Sequence, residues 1–227
     1  MKTIISVIML IMMTTLSYAN DIYVTQSGNA LDLDITQDGE NNTVGNSTTA
    51  SASAGATTIL NIDQIGNSNV ITYQINGATY TGVINLVGNS NNVDLNCDST
   101  GGNSSCGTAN AVINFTGNSN DIDLDIGQTS SANTADVDIV GQSGSDSNVV
   151  AATVDGNSAV LTITVNGDTN NYLIDIDGNG DSVGHTLIHS HTGGIADVDI
   201  IQSGTNDNMI TLTTSGDNAD IDISQTD

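Results

Sequence analysis

The chain has no proline, no tryptophan and a single phenylalanine, and its only lysine or arginine is Lys2. Each absence excludes something. Without proline there is no ring to break a backbone ladder and no proline-rich linker. With so few aromatics, any core must be aliphatic. With one cation in 227 residues, nucleic acid is excluded as a partner, because its phosphates demand lysine and arginine. Anionic lipid is excluded for the same reason. Long apolar runs are also scarce. The one present, Ile4 to Met13, follows Met1-Lys2 and precedes Ser17-Tyr18-Ala19. A basic start, a short hydrophobic stretch and small residues before the cut make a secretory signal peptide, residues 1–19, cleaved after Ala19. The run is too short for stable membrane insertion, and no other segment replaces it.

What remains, residues 20–227, carries 25 Asp and Glu40 with no lysine or arginine to oppose them. Divalent cations, positively charged surfaces and basic proteins stay open as partners. The chain is rich in Gly, Asn, Ser, Thr and Asp, interleaved with Ile and Val. Such a charge ordinarily accompanies disorder. The regular spacing of the aliphatics argues against that here.

Cysteine is nearly absent too. Cys97 and Cys106, in CDSTGGNSSC, are the only pair. In a secreted chain so close a pair reads as a disulfide stapling a loop.

The positive signal is a repeat. Gly28 and Gly39 are 11 apart, as are Gly66, Gly77 and Gly88, and again Gly156, Gly167 and Gly178; Gly204 and Gly216 are 12 apart. Around these and Gly117 the parity of apolar and amide residues is nearly constant. Gln26, Gln37, Gln64 and Gln202 stand two before a glycine, and Asn42, Asn69, Asn91, Asn120 and Asn170 stand three after one. Gln142, Gly144 and Asn148, and likewise Gln202, Gly204 and Asn208, carry one extra residue in the turn. Strict alternation means strands, since successive side chains point to opposite faces. A turn glycine, needed for positive φ, separates them. Each 11-residue unit is a strand plus a turn, and two units close a flattened coil of about 22 residues. Stacked coils bury what one coil cannot. The expectation is all-β: a single β-solenoid over residues 20–227, with enlarged loops near 45–58, 97–106, 127–135 and 184–194. A β-sandwich with glycine-rich turns is the competing architecture.

The motif Q-x-G-x-x-N-x-[AVI] resembles the curlin repeat of curli subunits, the secreted proteins of bacterial functional amyloid. QDGENNTV (Gln37 to Val44), QIGNSNVI (Gln64 to Ile71) and, with the extra residue, QSGTNDNMI (Gln202 to Ile210) and QSGSDSNVV (Gln142 to Val150) carry the likeness. The resemblance implies a left-handed solenoid that stacks end to end into extracellular, cell-surface fibres of a biofilm matrix. The partner would be the chain itself, with a nucleator or a secretion pore beside it. Many half-repeats depart from the motif, replacing Gln and Asn with Leu, Val, Thr or Ala. The residues themselves add that end coils offer unpaired strand edges to which copies add. The alternative is a capped surface solenoid acting as an adhesin, an ice-binding module or a calcium-binding module.

Other patterns carry less. Aspartates alternate with aliphatics in LDLDI (Leu31 to Ile35), DIDLDI (Asp121 to Ile126) and DIDIS (Asp220 to Ser224). On strands these carboxylates face solvent and discourage lateral aggregation; Ca²⁺ is the cofactor they would take if any. His185, His189 and His191 share one parity in HTLIHSH and are the residues a metal would use. Three ligands rarely converge from one strand, so the expectation is a solvent-exposed loop and no metal. No acid/base couple stands out among so many carboxylates, and no nucleophile elbow is visible. No enzyme activity is expected.

Overall fold

The computed structural model describes residues 20–27, 30–45, 51–66, 68–88, 90–97, 106–117, 119–127, 134–142, 147–155, 158–178, 185–204 and 208–226. The expected leader and Gly28, Gly144 and Gly156 lie outside them. Seventeen strands run in chain order: β1 Asn20–Ile22, β2 Thr25–Ser27, β3 Ala30–Asp38, β4 Asn41–Val44, β5 Ser51–Ile65, β6 Ser68–Val87, β7 Ser90–Cys97, β8 Thr108–Thr116, β9 Ser119–Gly127, β10 Thr134–Gly141, β11 Asn148–Asp155, β12 Ser158–Asn166, β13 Thr169–Gly178, β14 Thr186–Thr192, β15 Ile195–Gly204, β16 Met209–Ser215 and β17 Asn218–Thr226. Among the described residues there is no helix, and none long and apolar enough to cross a membrane.

Every pairing is parallel and joins a strand to its counterpart one coil later. The result is a β-solenoid with two parallel sheets facing each other. In sheet I, Asn20, Asn42, Asn69, Asn91, Asn120, Asn148, Asn170, Ala196 and Ala219 form one column. In sheet II, Leu33, Leu60, Gly82, Ala111, Val137, Leu161, Leu187 and Ile210 form another. Along sheet I the chain advances by 22, 27, 22, 29, 28, 22, 26 and 23 residues per coil. The expected 22 therefore holds only for coils without an insertion. The additional residues fall between strands, and the strands above and below keep their register.

Alternation dictates the core. Leu60, Ile62, Ile71, Ile84, Val93, Leu95, Ile113, Ile122, Ile139, Leu161, Ile174 and Val198 are fully buried, while the residues between them face solvent. Each such side chain contributes about 1.5–3 kcal/mol of burial. Two inward glycines make room for the few rings. A Cβ on Gly82 would lie 2.8 Å from the Tyr80 hydroxyl, and one on Gly141 would lie 2.7 Å from the Phe115 ring.

Two of the expected loops are strands instead. β5 begins at Ser51 and keeps its ladder with β6 through Gly55 and Gly77, so only the chain between Gly45 and Ser51 is added there. Gly77 accordingly lies within a continuous 20-residue strand and not in a turn that breaks one. The stretch near 184–194 contains β14, paired on both sides by β12 and β16. An inward face made of His189, His191 and Leu187 was not apolar enough to read as a strand from composition. It aligns in full with Ile163, Val165 and Leu161 below it.

Candidate functional site

The asparagine column is the most regular polar feature. Asn42, Asn69, Asn91, Asn120, Asn148 and Asn170 all lie at the corner where sheet II hands over to sheet I, and all are buried. Asn91 donates to Asn120 Oδ1 at 2.5 Å and Asn120 donates to Asn148 Oδ1 at 2.6 Å; Asn148 donates to Asn170 Oδ1. The same amide nitrogens tie the column to the turns. Asn120 reaches Gly117 O at 3.0 Å, Asn170 reaches Gly167 O at 2.9 Å, and Asn91 reaches Thr116 O at 3.1 Å. Asn42 donates to Gln37 O and Ile65 O. Asn69 holds its place in the column, fully buried, yet neither end of its amide has a partner among the described residues. Asn208 does not join them. It sits just before β16, at the entry to sheet II, where its Oδ1 accepts from the His185 amide at 3.3 Å.

The glutamines form no comparable ladder among the described residues. Gln64 donates to Gln37 Oε1 at 2.6 Å, both side chains being buried. Above them the same column holds Leu86, Phe115, Gly141, Val165 and His191. Gln142 is exposed, because Gly141 takes the inward place beside the Phe115 ring and shifts the glutamine outward by one. Gln202 is buried but donates across the corner to His185 O at 3.2 Å instead of to another glutamine. Gln26 has no described side chain; its backbone pairs with Ser53.

The turn glycines stack; of those expected, Gly204 alone among the described residues has positive φ, at 155°, and the others are held for a different reason. A Cβ on Gly66 would lie 1.7 Å from Gly39 O, one on Gly88 2.2 Å from Gly66 O, and one on Gly117 2.1 Å from Gly88 O. A Cβ on Gly216 would meet Gly193 O at 1.8 Å, and one on Gly193 would meet Gly167 O at 1.5 Å. Backbone of the coil below occupies the space a side chain needs. Their amides extend the ladders through the corner: Gly39 donates to Ile65 O, Gly66 to Val87 O, Gly88 to Thr116 O and Gly167 to Thr192 O. Gly178 and Gly204 pair with each other as the last residues of β13 and β15.

Cys97 and Cys106 are joined by a disulfide and are fully buried, Cys97 in the inward column between Ile75 and Ile126 in sheet I. The bond ties the last residue of β7 to the chain just before β8.

The three histidines contradict the expected exposed loop. His185, His189 and His191 are each 1 % exposed and point into the core. No group of three or more His, Cys, Asp or Glu among the described residues is arranged to hold a metal. Tyr172, from the facing sheet, stacks edge-on to His189 with ring centroids 4.3 Å apart, and its hydroxyl lies 3.2 Å from His191 Nδ1. Burial pushes His189 down to about 4, with His191 adding to the effect, and burial also lowers His191. Burial raises the Tyr172 hydroxyl. Inward parity, visible in the sequence, was the signal that could have placed these rings.

Outward aspartates are interleaved with amides. Asn61 donates to Asp34 at 2.8 Å, Asn85 to Asp63 at 2.6 Å, Asn114 to Asn85 at 2.8 Å and Asn96 to Asp125 at 3.1 Å. An amide between layers satisfies a carboxylate where a second carboxylate would repel it. Asp123 is an exception: it stacks on Asp94, and desolvation together with Asp94 and Asp121 raises its carboxyl.

Among the described residues both ends of the solenoid present unpaired strand edges: β17 pairs only with β15, and β16 only with β14; β1 pairs only with β4, and β3 only with β5. The inward columns emerge at the C-terminal end. Val198 and Ile200 are 0 % and 1 % exposed, whereas Ile221 and Ile223, one coil on, are 37 % and 49 % exposed. At the other end Ile22, Leu31 and Leu33 are only partly covered.

No family model matches the chain, and no curated protein and no solved structure matches it.

Proposed function

We propose that this chain is a structural subunit that polymerises by adding coils to coils at its open ends. One observation carries the reading: the last coil continues the apolar columns and the strand ladder of the body, and no described residue covers either. An unpaired parallel edge above a half-exposed aliphatic row is a template for another strand of the same pattern. The buried amide column and the carbonyl-on-glycine corners support it, since both repeat with the strand spacing and gain from each added layer. A capped surface module would need a segment over Ile221 and Ile223.

The setting is extracellular. The leader-like first 19 residues, the disulfide and the curlin-like motifs support secretion into a fibrous matrix. The work is scaffolding, not chemistry on a substrate.

The test is direct. The chain from Asn20, which holds all seventeen strands, is incubated at neutral pH and imaged by negative-stain electron microscopy. Uniform fibres with a spacing of ~4.7 Å along the axis are expected. Ile221→Lys with Ile223→Lys, two residues already half in solvent, should leave the circular dichroism unchanged and stop growth. Stable monomers of the unaltered chain at high concentration would refute the proposal.

A further inference from the structure

The symmetry of the polymer follows from counting half-coils, and the inference rests on the polymerisation proposed above. Sheet I has nine layers, from Asn20 to Ala219 in its asparagine column; sheet II has eight, from Leu33 to Ile210. Among the described residues the first strand, β1, and the last, β17, both lie in sheet I. The described half-coils are therefore odd in number.

An odd count forbids simple translation. Suppose a second copy followed the first in the same orientation. Its β1 and β2 would add to β17, one layer on. Its β3 would then arrive one and a half coils beyond β17's level, two layers above β16. Sheet II would be missing a strand at every junction, with β16 and β3 about 9.6 Å apart where a ladder needs about 4.8 Å. Both edges would lose their partners, and the apolar rows beneath would stay wet.

Rotating the second copy by half a turn about the solenoid axis removes the gap. Its β1 and β2 then fall on β16, and its β3 falls on β17. The two sheets are interchangeable enough to allow this. Residues 11 apart occupy equivalent corners: Leu31 and Asn42, Thr58 and Asn69, Tyr80 and Asn91, Ala109 and Asn120 each open successive half-coils. Carrying that equivalence across the junction sets Ile22 over Ile210, Leu33 over Ile221, Ile35 over Ile223 and Gln37 over Gln225. Aliphatic meets aliphatic and amide meets amide at each of these four places. On the outer face Asp21 falls over Met209, which is 51 % exposed, instead of over Asp220.

We infer that the partner of each open end is a second copy of this chain related by a two-fold screw, with β1 and β2 of one copy laid on β16 of the last and β3 laid on β17. Successive subunits then rise by about 41 Å, seventeen half-steps of about 2.4 Å, and face opposite ways.

Engineered cysteines distinguish the two junctions. Asp21→Cys with Met209→Cys and, separately, Asp21→Cys with Asp220→Cys are introduced into the chain from Asn20, whose native cysteines are already paired. Facing positions in a new ladder lie about 4.8 Å apart between Cα atoms, within the reach of a disulfide. After fibres form, they are oxidised and run on a non-reducing denaturing gel. The screw predicts a covalent ladder of dimers, trimers and higher species for the 21–209 pair and monomer for the 21–220 pair. Fibres that crosslink at 21–220, or at neither pair, overturn the screw and leave polymerisation standing. No fibres from the unaltered chain overturn both.

Discussion

Asn170 Nδ2 and His191 Nδ1 lie 3.1 Å apart, at the place where the asparagine column ends. The contact fixes a proton. Asn148 donates to Asn170 Oδ1, so the Asn170 amide turns its NH₂ toward the ring. Tyr172 offers its hydroxyl to the same nitrogen. With both groups donating, Nδ1 must hold a lone pair, and the imidazole proton sits on Nε2. A neutral His191 thus terminates the chain of amides.

Acid should attack this coil first. The folded chain binds a proton on His189 only near pH 4, against 6.5 for the free side chain. The unfolded chain therefore holds more protons between those values, and stability falls as pH falls. The contribution is complete above pH 6.5 and is lost toward pH 4, up to about 3 kcal/mol from this one ring. Urea unfolding at pH 7 and pH 4.5 measures it. His189→Leu, which continues the column between Ile163 and Leu212, should flatten the dependence. An unchanged pH profile in that variant would show that the acid response lies elsewhere.

The asparagine column should respond unevenly to truncation. Asn120 accepts from Asn91 and donates to Asn148 and Gly117. Asn120→Ala leaves buried partners without bonds and should destabilise by about 1–3 kcal/mol. Asn69 occupies an equivalent place with no side-chain partner among the described residues. Asn69→Leu keeps the shape and removes a buried polar group, so it should be neutral or stabilising. Equal losses at the two sites would mean that Asn69 is bonded after all.

Corner glycines should be intolerant of even one methyl group. Alanine at Gly88 puts its Cβ 2.0 Å from Asn69 Oδ1 and 2.2 Å from Gly66 O, and backbone cannot step aside without moving a whole layer. A loss of about 1–3 kcal/mol is expected, as for other overpacked sites. Gly194 is the comparison. There the nearest atom, Asp168 O, is 3.0 Å away, and alanine should cost less. Melting temperatures of Gly88→Ala and Gly194→Ala decide it, and similar values would remove carbonyl contact as the reason for the repeat's glycines.

The alternation of Ile, Leu and Val made the inward columns legible, and with them the solenoid. What it hid was local exchange within a column. Gly141 fills an inward place only because the Phe115 ring needs it, so Gln142, which matches the motif, faces water. His189 and His191 sit inward because Tyr172 of the other sheet packs against them, a contact between residues 17 and 19 apart in sequence that no spacing rule announces. The aspartate face looked uniformly repulsive. Register shows otherwise: Asn61 stands on Asp34 and Asn85 on Asp63. Loop length at each corner sets that register, and loops do not betray how much of their chain is laid into strand.

The C-terminal coil lacks this interleaving, and its charge should govern growth. Asp220 stacks on Asp197 and Asp222 on Asp199, with no amide between. In the rotated junction Asp32 and Asp34 of the next copy would extend those two columns to three carboxylates each. Like charges about 5 Å apart cost roughly 1 kcal/mol per pair in water before screening. Added salt should therefore speed elongation of the unaltered chain. Asp220→Asn with Asp222→Asn should elongate faster at low salt and lose most of the salt response. Seeded growth, followed by light scattering from 10 to 500 mM NaCl, gives both numbers. CaCl₂ at matched ionic strength separates screening from chelation: equal rates mean that the column is only screened, and a faster rate in calcium means that stacked carboxylates bind the ion. Growth that slows with salt in both proteins would show that charge repulsion does not limit the junction.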